Sequence, residues 1–310
     1  EAVRRLKGEP GSSVTFKVQH PGGAGIEKMT VTRELIQMES ILGDRRNDRD
    51  EWDFMLDPAK KIGYIRIVSF GRETQGELKK AMDRLKKENV RGLVLDLRFN
   101  PGGLLGSAIA VADMFLTEGE IVSTSGRNSP KRTWSAHKPD TYEGFPMVVL
   151  VNRASASASE IVSASLQDHK RAIVVGERTW GKGSVQTVMD LEGGKSILKL
   201  TTASYQRPNG HNIHRFPDAK ESDEWGVMPD AGYELKLDDR EFLQLQLYRR
   251  DRDILTVNHA TGQATTASEA GKSPPPASGS PNGEVAAAGF VDRQLQKAVD
   301  YLSSELAKAH

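Results

Sequence analysis

Three short segments carry the residue types from which a reaction could be built. The first is Asn100-Pro101-Gly102-Gly103, directly after an apolar run that ends Asp96-Leu97-Arg98. Paired glycines between a buried strand and a helix let backbone N–H groups approach a ligand closely. The same residues also suit an ordinary tight strand-to-helix turn. The second is Ser155-Ala156-Ser157-Ala158-Ser159-Glu160, which follows the apolar run Met147–Val151 and opens a helix. A Ser at such an elbow exposes its hydroxyl, and the next N–H points toward the oxyanion that its attack would create. A Ser with a Glu shortly after it is equally a helix-capping signature, and the local sequence leaves open which of the three serines reacts. The third is Thr179-Trp180-Gly181-Lys182-Gly183-Ser184-Val185-Gln186. A Lys that accepts a proton must be neutral, which desolvation or nearby positive charge brings about, and a Ser–Lys pair needs no His. Otherwise such a Lys is a solvated loop residue. The segment lacks the glycine spacing of a phosphate loop and precedes a strand.

Other chemistries are poorly supported. The seven His are scattered. None has the HExxH spacing of a metal site, and His211 and His214 lack a matching carboxylate. Asp168 and His169 follow the Ser helix, but adjacent helical residues point about 100° apart and do not line up as one relay. The chain has no Cys, which excludes disulfides, thiolate zinc sites and Cys nucleophiles. With 43 Lys and Arg against 42 Asp and Glu, the net charge is +1. That balance argues against a nucleic-acid or anionic-membrane surface, which would need a basic stripe. The run Met147–Val151 is far shorter than the ~20 apolar residues that span a bilayer.

The elements that must position these segments follow from periodicity. Residues 1–36 read as a helix near 2–7, a strand at Ser13–Gln19, a turn at His20-Pro21-Gly22-Gly23 and a strand at Lys28–Arg33. That is too little to bury a core alone. Because the chain opens in mid-helix pattern without Met, it reads as a piece of a longer protein. From residue 60 onward, strands at Ile62–Val68, Leu93–Leu97, Met147–Val151 and Ala172–Val175 alternate with helices at 72–89, Leu104–Leu116 and Ala156–Leu166. This predicts an α/β fold built of βαβ units around a largely parallel sheet. Val185–Leu191 and Ser196–Tyr205 flank Glu192-Gly193-Gly194-Lys195 as a hairpin. Residues 256–288 hold three charges, no Leu, Ile or aromatic, and Pro274-Pro275-Pro276, which predicts a flexible insertion. Beyond it, Val291, Leu295, Ala298, Val299, Leu302 and Leu306 share one helical face that should dock on the body.

Taken in order, Asp96–Gly103, Ser155–Ile161 and Gly181–Gln186 resemble the motifs of the carboxyl-terminal processing peptidases, or tail-specific proteases. Tyr205…Pro208-Asn209-Gly210 and Gly226-Val227-Met228-Pro229-Asp230 extend the match. The resemblance runs from the chain start to about residue 250 and resumes at Asp292–Leu306. It implies a crotonase- or ClpP-like mixed protease core at 37–255, preceded at 1–36 by the C-terminal part of a PDZ domain whose start is missing. It places the insertion at 256–288 and a docking helix at 289–310. Carried over residue by residue, it implies Ser157 as nucleophile, Lys182 as general base, Gln186 as the residue orienting Lys182, and Gly103 and Ala158 as backbone oxyanion donors. The implied activity is serine endopeptidase cleavage of exported proteins near their C-termini, in a bacterial periplasm or cell envelope, with no metal or organic cofactor. The implied partners are proteins or peptides with exposed C-termini and no nucleic acid. A homo-oligomer is compatible with the chain, and membrane anchoring would have to come from an upstream segment. The missing PDZ start and the 256–288 segment depart from the family pattern. Two other readings stay open at this point: a catalytically silent peptide-binding scaffold of the same fold, and a crotonase-like acyl-CoA enzyme, which would more readily use a Glu than a Lys.

Overall fold

The computed structural model describes residues 1–19, 25–36, 38–47, 49–127, 129–253, 256–258, 263–265 and 290–308. The chain divides into two compact units, Glu1–Glu39 and Ser40–His310. The first holds helix α1 (Ala2–Leu6) and strands β1 (Ser13–Gln19) and β2 (Ile26–Thr32), paired antiparallel from Ser13 opposite Thr32 to Gln19 opposite Ile26. Arg33 ties the helix end to this hairpin by donating to the Leu6 carbonyl (2.8 Å) and Ser12 Oγ (2.9 Å). The expected His20–Gly23 turn lies outside the described residues.

The larger unit opens with short strands β3 (Ile41–Leu42), β4 (Arg45–Arg46), β5 (Trp52–Asp53) and β6 (Met55–Asp57), followed by β7 (Ile62–Ile67). Helix α2 (Thr74–Lys87), strand β8 (Gly92–Asp96) and helix α3 (Leu105–Asp113) come next. Strands β9 (Glu120–Gly126) and β10 (Ser129–Ser135) lead to β11 (Met147–Val151), helix α4 (Ala158–Asp168) and β12 (Ile173–Gly176). The hairpin β13 (Ser184–Leu191) and β14 (Ser196–Gln206), helix α5 (Asp239–Asp253), strands β15 (Thr256–Asn258) and β16 (Gln263–Thr265), and helix α6 (Arg293–Lys308) complete the unit.

The main sheet has the order β12-β11-β8-β7-β3, with β6 also on β7. The pairs β12–β11, β11–β8 and β8–β7 are parallel. Both faces of this sheet are covered, which explains the unbroken apolar runs. Leu93, Leu95 and Leu97 join Met147, Val149 and Val151 in the core that includes Leu78 of α2, Val111 of α3 and Ile161 of α4. Val94, Val148 and Leu150 face the other way, onto Ala298, Leu302 and Leu306 of α6. Val291 does not belong to that face: it precedes the helix and is 64% exposed. Gln294 is fully buried in its place, donating to the Leu235 carbonyl (2.8 Å). A second sheet, β10-β9-β14-β13, is antiparallel throughout. The expectation of a structureless 256–288 segment meets one departure, the β15–β16 ladder. Residues 266–288 lie outside the described residues.

Candidate active site

The turn after β8 and the turn after β11 are laced together by buried side chains. Asn100 donates from Nδ2 to the Ile67 carbonyl (2.8 Å) and accepts the Gly102 N–H at Oδ1 (2.8 Å). Its own carbonyl accepts the Ala156 N–H (3.0 Å) and the Ser159 hydroxyl (3.0 Å). Asn152 does the reciprocal work, accepting the N–H of Phe99 (3.0 Å) and of Ala154 (3.1 Å). Ser155 Oγ donates to the Leu97 carbonyl (2.9 Å). Asn, Ser and backbone thus bond one another in a buried region where an unmade bond is costly, with Asn152 Nδ2 the one donor of these side chains left without a partner among the described residues.

The two glycines are needed for close approach. A methyl group on Gly102 would lie 2.7 Å from the Ala156 carbonyl oxygen, 2.8 Å from Ser157 Cβ and 2.9 Å from the Ala158 nitrogen. At Gly103, with φ +153°, it would lie 2.2 Å from the Phe70 carbonyl oxygen. The Gly-Gly turn is therefore pressed against the Ser157 elbow. Among the described residues, the N–H groups of Gly103 and Ala158 donate to no protein acceptor.

The structure separates the three serines. Ser155 and Ser159 are fully buried with their hydroxyls committed to carbonyls. Ser157 is half-buried and sits at φ +58°, ψ −111°, the left-handed half of the map that a residue with a Cβ rarely occupies. Its strained position is held from below by Glu160.

Glu160 is fully buried and uses all of its accepting capacity on two segments at once. Oε2 accepts the N–H of Ser157 (2.7 Å) and of Lys182 (2.8 Å). Oε1 accepts the Thr179 hydroxyl (2.6 Å) and the Gly181 N–H (2.6 Å). Burial pushes its carboxyl above the ordinary Glu range, an effect that the four donors oppose. The capping role expected of this residue is real, since it does bind the elbow N–H. Its grip on the 179–182 loop was not visible, because nothing near Glu160 in the sequence announces partners some twenty residues on.

That loop is braced from outside as well. Thr179 exchanges bonds with Val227 (3.1 Å and 2.8 Å), Gly183 accepts the Tyr205 N–H (2.7 Å), and Gly181 accepts the Arg215 N–H (2.9 Å). The Gly226–Asp230 and Tyr205–Gly210 segments thereby gain a physical role as supports for the Lys182 backbone. The Lys182 side chain is exposed, as is Gln186, which lies on β13 opposite Thr201. Among the described residues, Lys182 Nζ hydrogen-bonds neither Ser157 Oγ nor Gln186. The fold brings the two backbones together on Glu160, with the Ser157 side chain facing the Glu160 N–H in a capping box and the Lys182 side chain exposed. Asp168 and His169 form no relay: Asp168 pairs with Arg207 (2.6 Å), and His169 Nε2 contacts the Glu120 carbonyl (2.7 Å).

Residues 61–231 match the peptidase family S41. The chain belongs to peptidase family S41. It is 37% identical over 245 residues to the carboxy-terminal-processing protease of Bartonella bacilliformis, covering 77% of this chain and 51% of the relative. To the carboxyl-terminal-processing protease of Synechocystis sp. it is 35% identical over 237 residues, covering 76% of this chain and 51% of that protein. The chain therefore spans about half the length of these curated relatives. Among solved structures, the photosystem II D1 C-terminal processing protease superposes with a TM-score of 0.53 at 32% identity, covering 80% of this chain and 61% of that one.

In this S41 chain the strand that leads into the Gly-Gly turn is also tied to the C-terminal helix. Arg98 is buried and donates to Asp96 (2.7 Å), to both oxygens of Asp292 (2.8 Å each) and to Gln294 (3.1 Å). Burial alone would raise the Asp96 carboxyl, but Arg98 and Arg249 outweigh it and hold the group down to about 2. Asp292 is lowered by the same two guanidiniums against the same burial. The sequence motif shows Asp96 and Arg98, but not that their partner stands at the mouth of α6.

Proposed function

We propose that this chain is the catalytic part of a serine endopeptidase that cleaves protein or peptide substrates near their C-termini by a Ser157–Lys182 dyad. The observation that carries the reading is the Ser157 elbow: an accessible hydroxyl on strained backbone, set against two unoccupied N–H donors and clamped through Glu160 to the backbone of Lys182. Ser157 Oγ attacks the scissile carbonyl while neutral Lys182 takes its proton and later hands one to the leaving amine. The N–H groups of Gly103 and Ala158 hold the oxyanion, an effect worth about 10²–10³ in rate per donor. With Lys182 extended into solvent, the dyad closes by side-chain rotation of Lys182 toward Ser157, and Gln186 steadies it there. Residues 1–36 are read as the end of a PDZ domain. The periplasm or cell envelope, with exported substrates, is the location that the family resemblance supports.

A non-catalytic scaffold gives no reason to hold Ser157 strained beside two free donors. A crotonase-like acyl-CoA enzyme would want its acid or base carboxylate in the cleft, whereas Glu160 is buried with every lone pair engaged. The test is mass-spectrometric mapping of products from an unstructured protein substrate. Cuts clustered near the C-terminus and absent with Ser157→Ala are expected; equal cutting by Ser157→Ala would overturn the reading.

A further inference from the structure

One buried guanidinium is left over from the network that ties β8 to α6. Arg249 lies one turn after Leu245 on α5, and both are buried. The Arg249 side chain is 6% exposed and lies over the Tyr64 ring, 4.9 Å from its centroid. Among the described residues, none of its three nitrogens, Nε, Nη1 and Nη2, has a hydrogen-bond partner. The carboxylate oxygens of Asp292 (3.6 Å), Asp44 (3.7 Å) and Asp96 (3.9 Å) stand beyond hydrogen-bond reach. Arg66 on β7 repeats this on a smaller scale. One end of it pairs with Asp253, while its Nε is buried and without a partner among the described residues.

Both guanidiniums line one cavity of about 60 Å³ between β7, the end of β8 and α5. A buried water needs roughly 10–15 Å³ and two to four polar partners, so this cavity has room for a single small ion with a water beside it. Its wall offers donors in excess. Arg66, Arg98 and Arg249 face one carboxylate there, that of Asp96. The acceptor sites of Asp96 are already taken. Oδ1 accepts the backbone N–H and Nε of Arg98 (3.0 Å each), and Oδ2 accepts Nη2 of Arg98 (2.7 Å) and the Tyr64 hydroxyl (2.6 Å). A guanidinium donates and never accepts. A water in the cavity could accept from Arg249, but it would find no free side-chain acceptor in the wall for its own protons. A small anion only accepts, and it fits this wall better.

We propose that this cavity is a binding site for a monovalent anion of chloride size, held by the Arg249 guanidinium and Arg66 Nε. The wall also includes Phe99, the residue that opens the Asn100–Gly103 turn, so the ion braces the base of that turn. The assignment stands on side-chain geometry and is independent of the Ser–Lys reading.

The test follows thermal unfolding of the full chain at constant ionic strength, as sodium chloride replaces sodium gluconate, whose anion is too bulky for the cavity. An ion bound by the folded chain alone raises Tm saturably, by roughly 2–5 °C at ten times its Kd. Arg249→Met removes the three donors and keeps an apolar stem. Its Tm should be the same in the two salts, whatever its absolute value. Wild-type crystals soaked in sodium bromide give a second readout that holds even if this variant folds poorly: an anomalous-scattering peak beside Arg249 and Arg66 is expected. Equal wild-type Tm in chloride and gluconate, a full chloride shift retained by Arg249→Met, or a bromide map without a peak in the cavity would overturn the site.

Discussion

The two halves of the candidate site are built in different ways. The nucleophile half, made of the turns after β8 and β11, is a buried lattice in which, among the described residues, Asn100, Asn152, Ser155 and Ser159 bond to backbone or to one another. The base half is a loop whose backbone is fixed by Glu160, Val227, Tyr205 and Arg215, while the side chains of Lys182, the proposed base, and of Gln186, which would orient it, are exposed. One half is preorganised down to its side chains, the other only down to its main chain. A developing oxyanion needs donors that do not reorganise, whereas a base must first pick up and then deliver a proton, a task that tolerates a mobile arm.

The largest expected effect comes from removing chemistry without touching either scaffold. Ser157→Ala should abolish peptide hydrolysis with an unchanged melting temperature. Lys182→Arg should be nearly inactive, because a guanidinium stays protonated. Since that side chain is exposed, its melting temperature should also stay put; wild-type turnover in this variant would remove the dyad.

Glu160→Gln attacks a side chain shared by both halves. The new amide turns an N–H₂ toward backbone donors, so both turns shift. Displacements of about 1 Å cost on the order of 10² in rate, and an unpaired buried donor costs ~1–3 kcal/mol of stability. A variant that loses stability but keeps full kcat would show that the clamp only holds the fold.

Ser155→Ala and Ser159→Ala probe the lattice alone. Each leaves a buried carbonyl one donor short, at a cost of ~1–3 kcal/mol in chemical denaturation, while substantial activity remains. Asp292→Asn acts further out and is read by pH. The folded pKa values of Asp96 and Asp292 lie below the ~3.9 of an unfolded Asp, so their contribution is present above pH ~4 and is lost as pH falls below it, in the case of Asp96 toward about 2. The variant should flatten the stability–pH slope in that window; an unchanged slope would mean that the carboxylate is not coupled to Arg98. Gln186→Ala should be the mildest, a few-fold loss in kcat confined to the mobile arm.

Sequence periodicity was enough for the parallel sheet, because strands buried on both faces are apolar throughout, and for α6, whose Ala298, Leu302 and Leu306 face the sheet at helical spacing. Helix α5 escaped notice because its apolar residues, among them Leu243, Leu245 and Leu247, alternate with polar ones instead of marking a stripe. Strands β9 and β10 were missed because their polar and Ser/Thr-rich runs give weak alternation. Within the site, the three motifs were readable as local turns. The local sequence left Ser155, Ser157 and Ser159 open and the family resemblance pointed to Ser157; burial sets it apart physically, since the hydroxyls of the other two are committed to carbonyls. Glu160 and Asp292 were under-read for the opposite reason, as their partners lie far along the chain.

The most direct measurement is the site of fluorophosphonate attachment, mapped by peptide mass spectrometry in the wild-type, Ser157→Ala and Lys182→Arg chains. A single adduct on Ser157 is expected, absent in the first variant and strongly slowed in the second. An adduct on Ser155 or Ser159, or labelling of Lys182→Arg at the wild-type rate, would contradict the Ser157–Lys182 assignment.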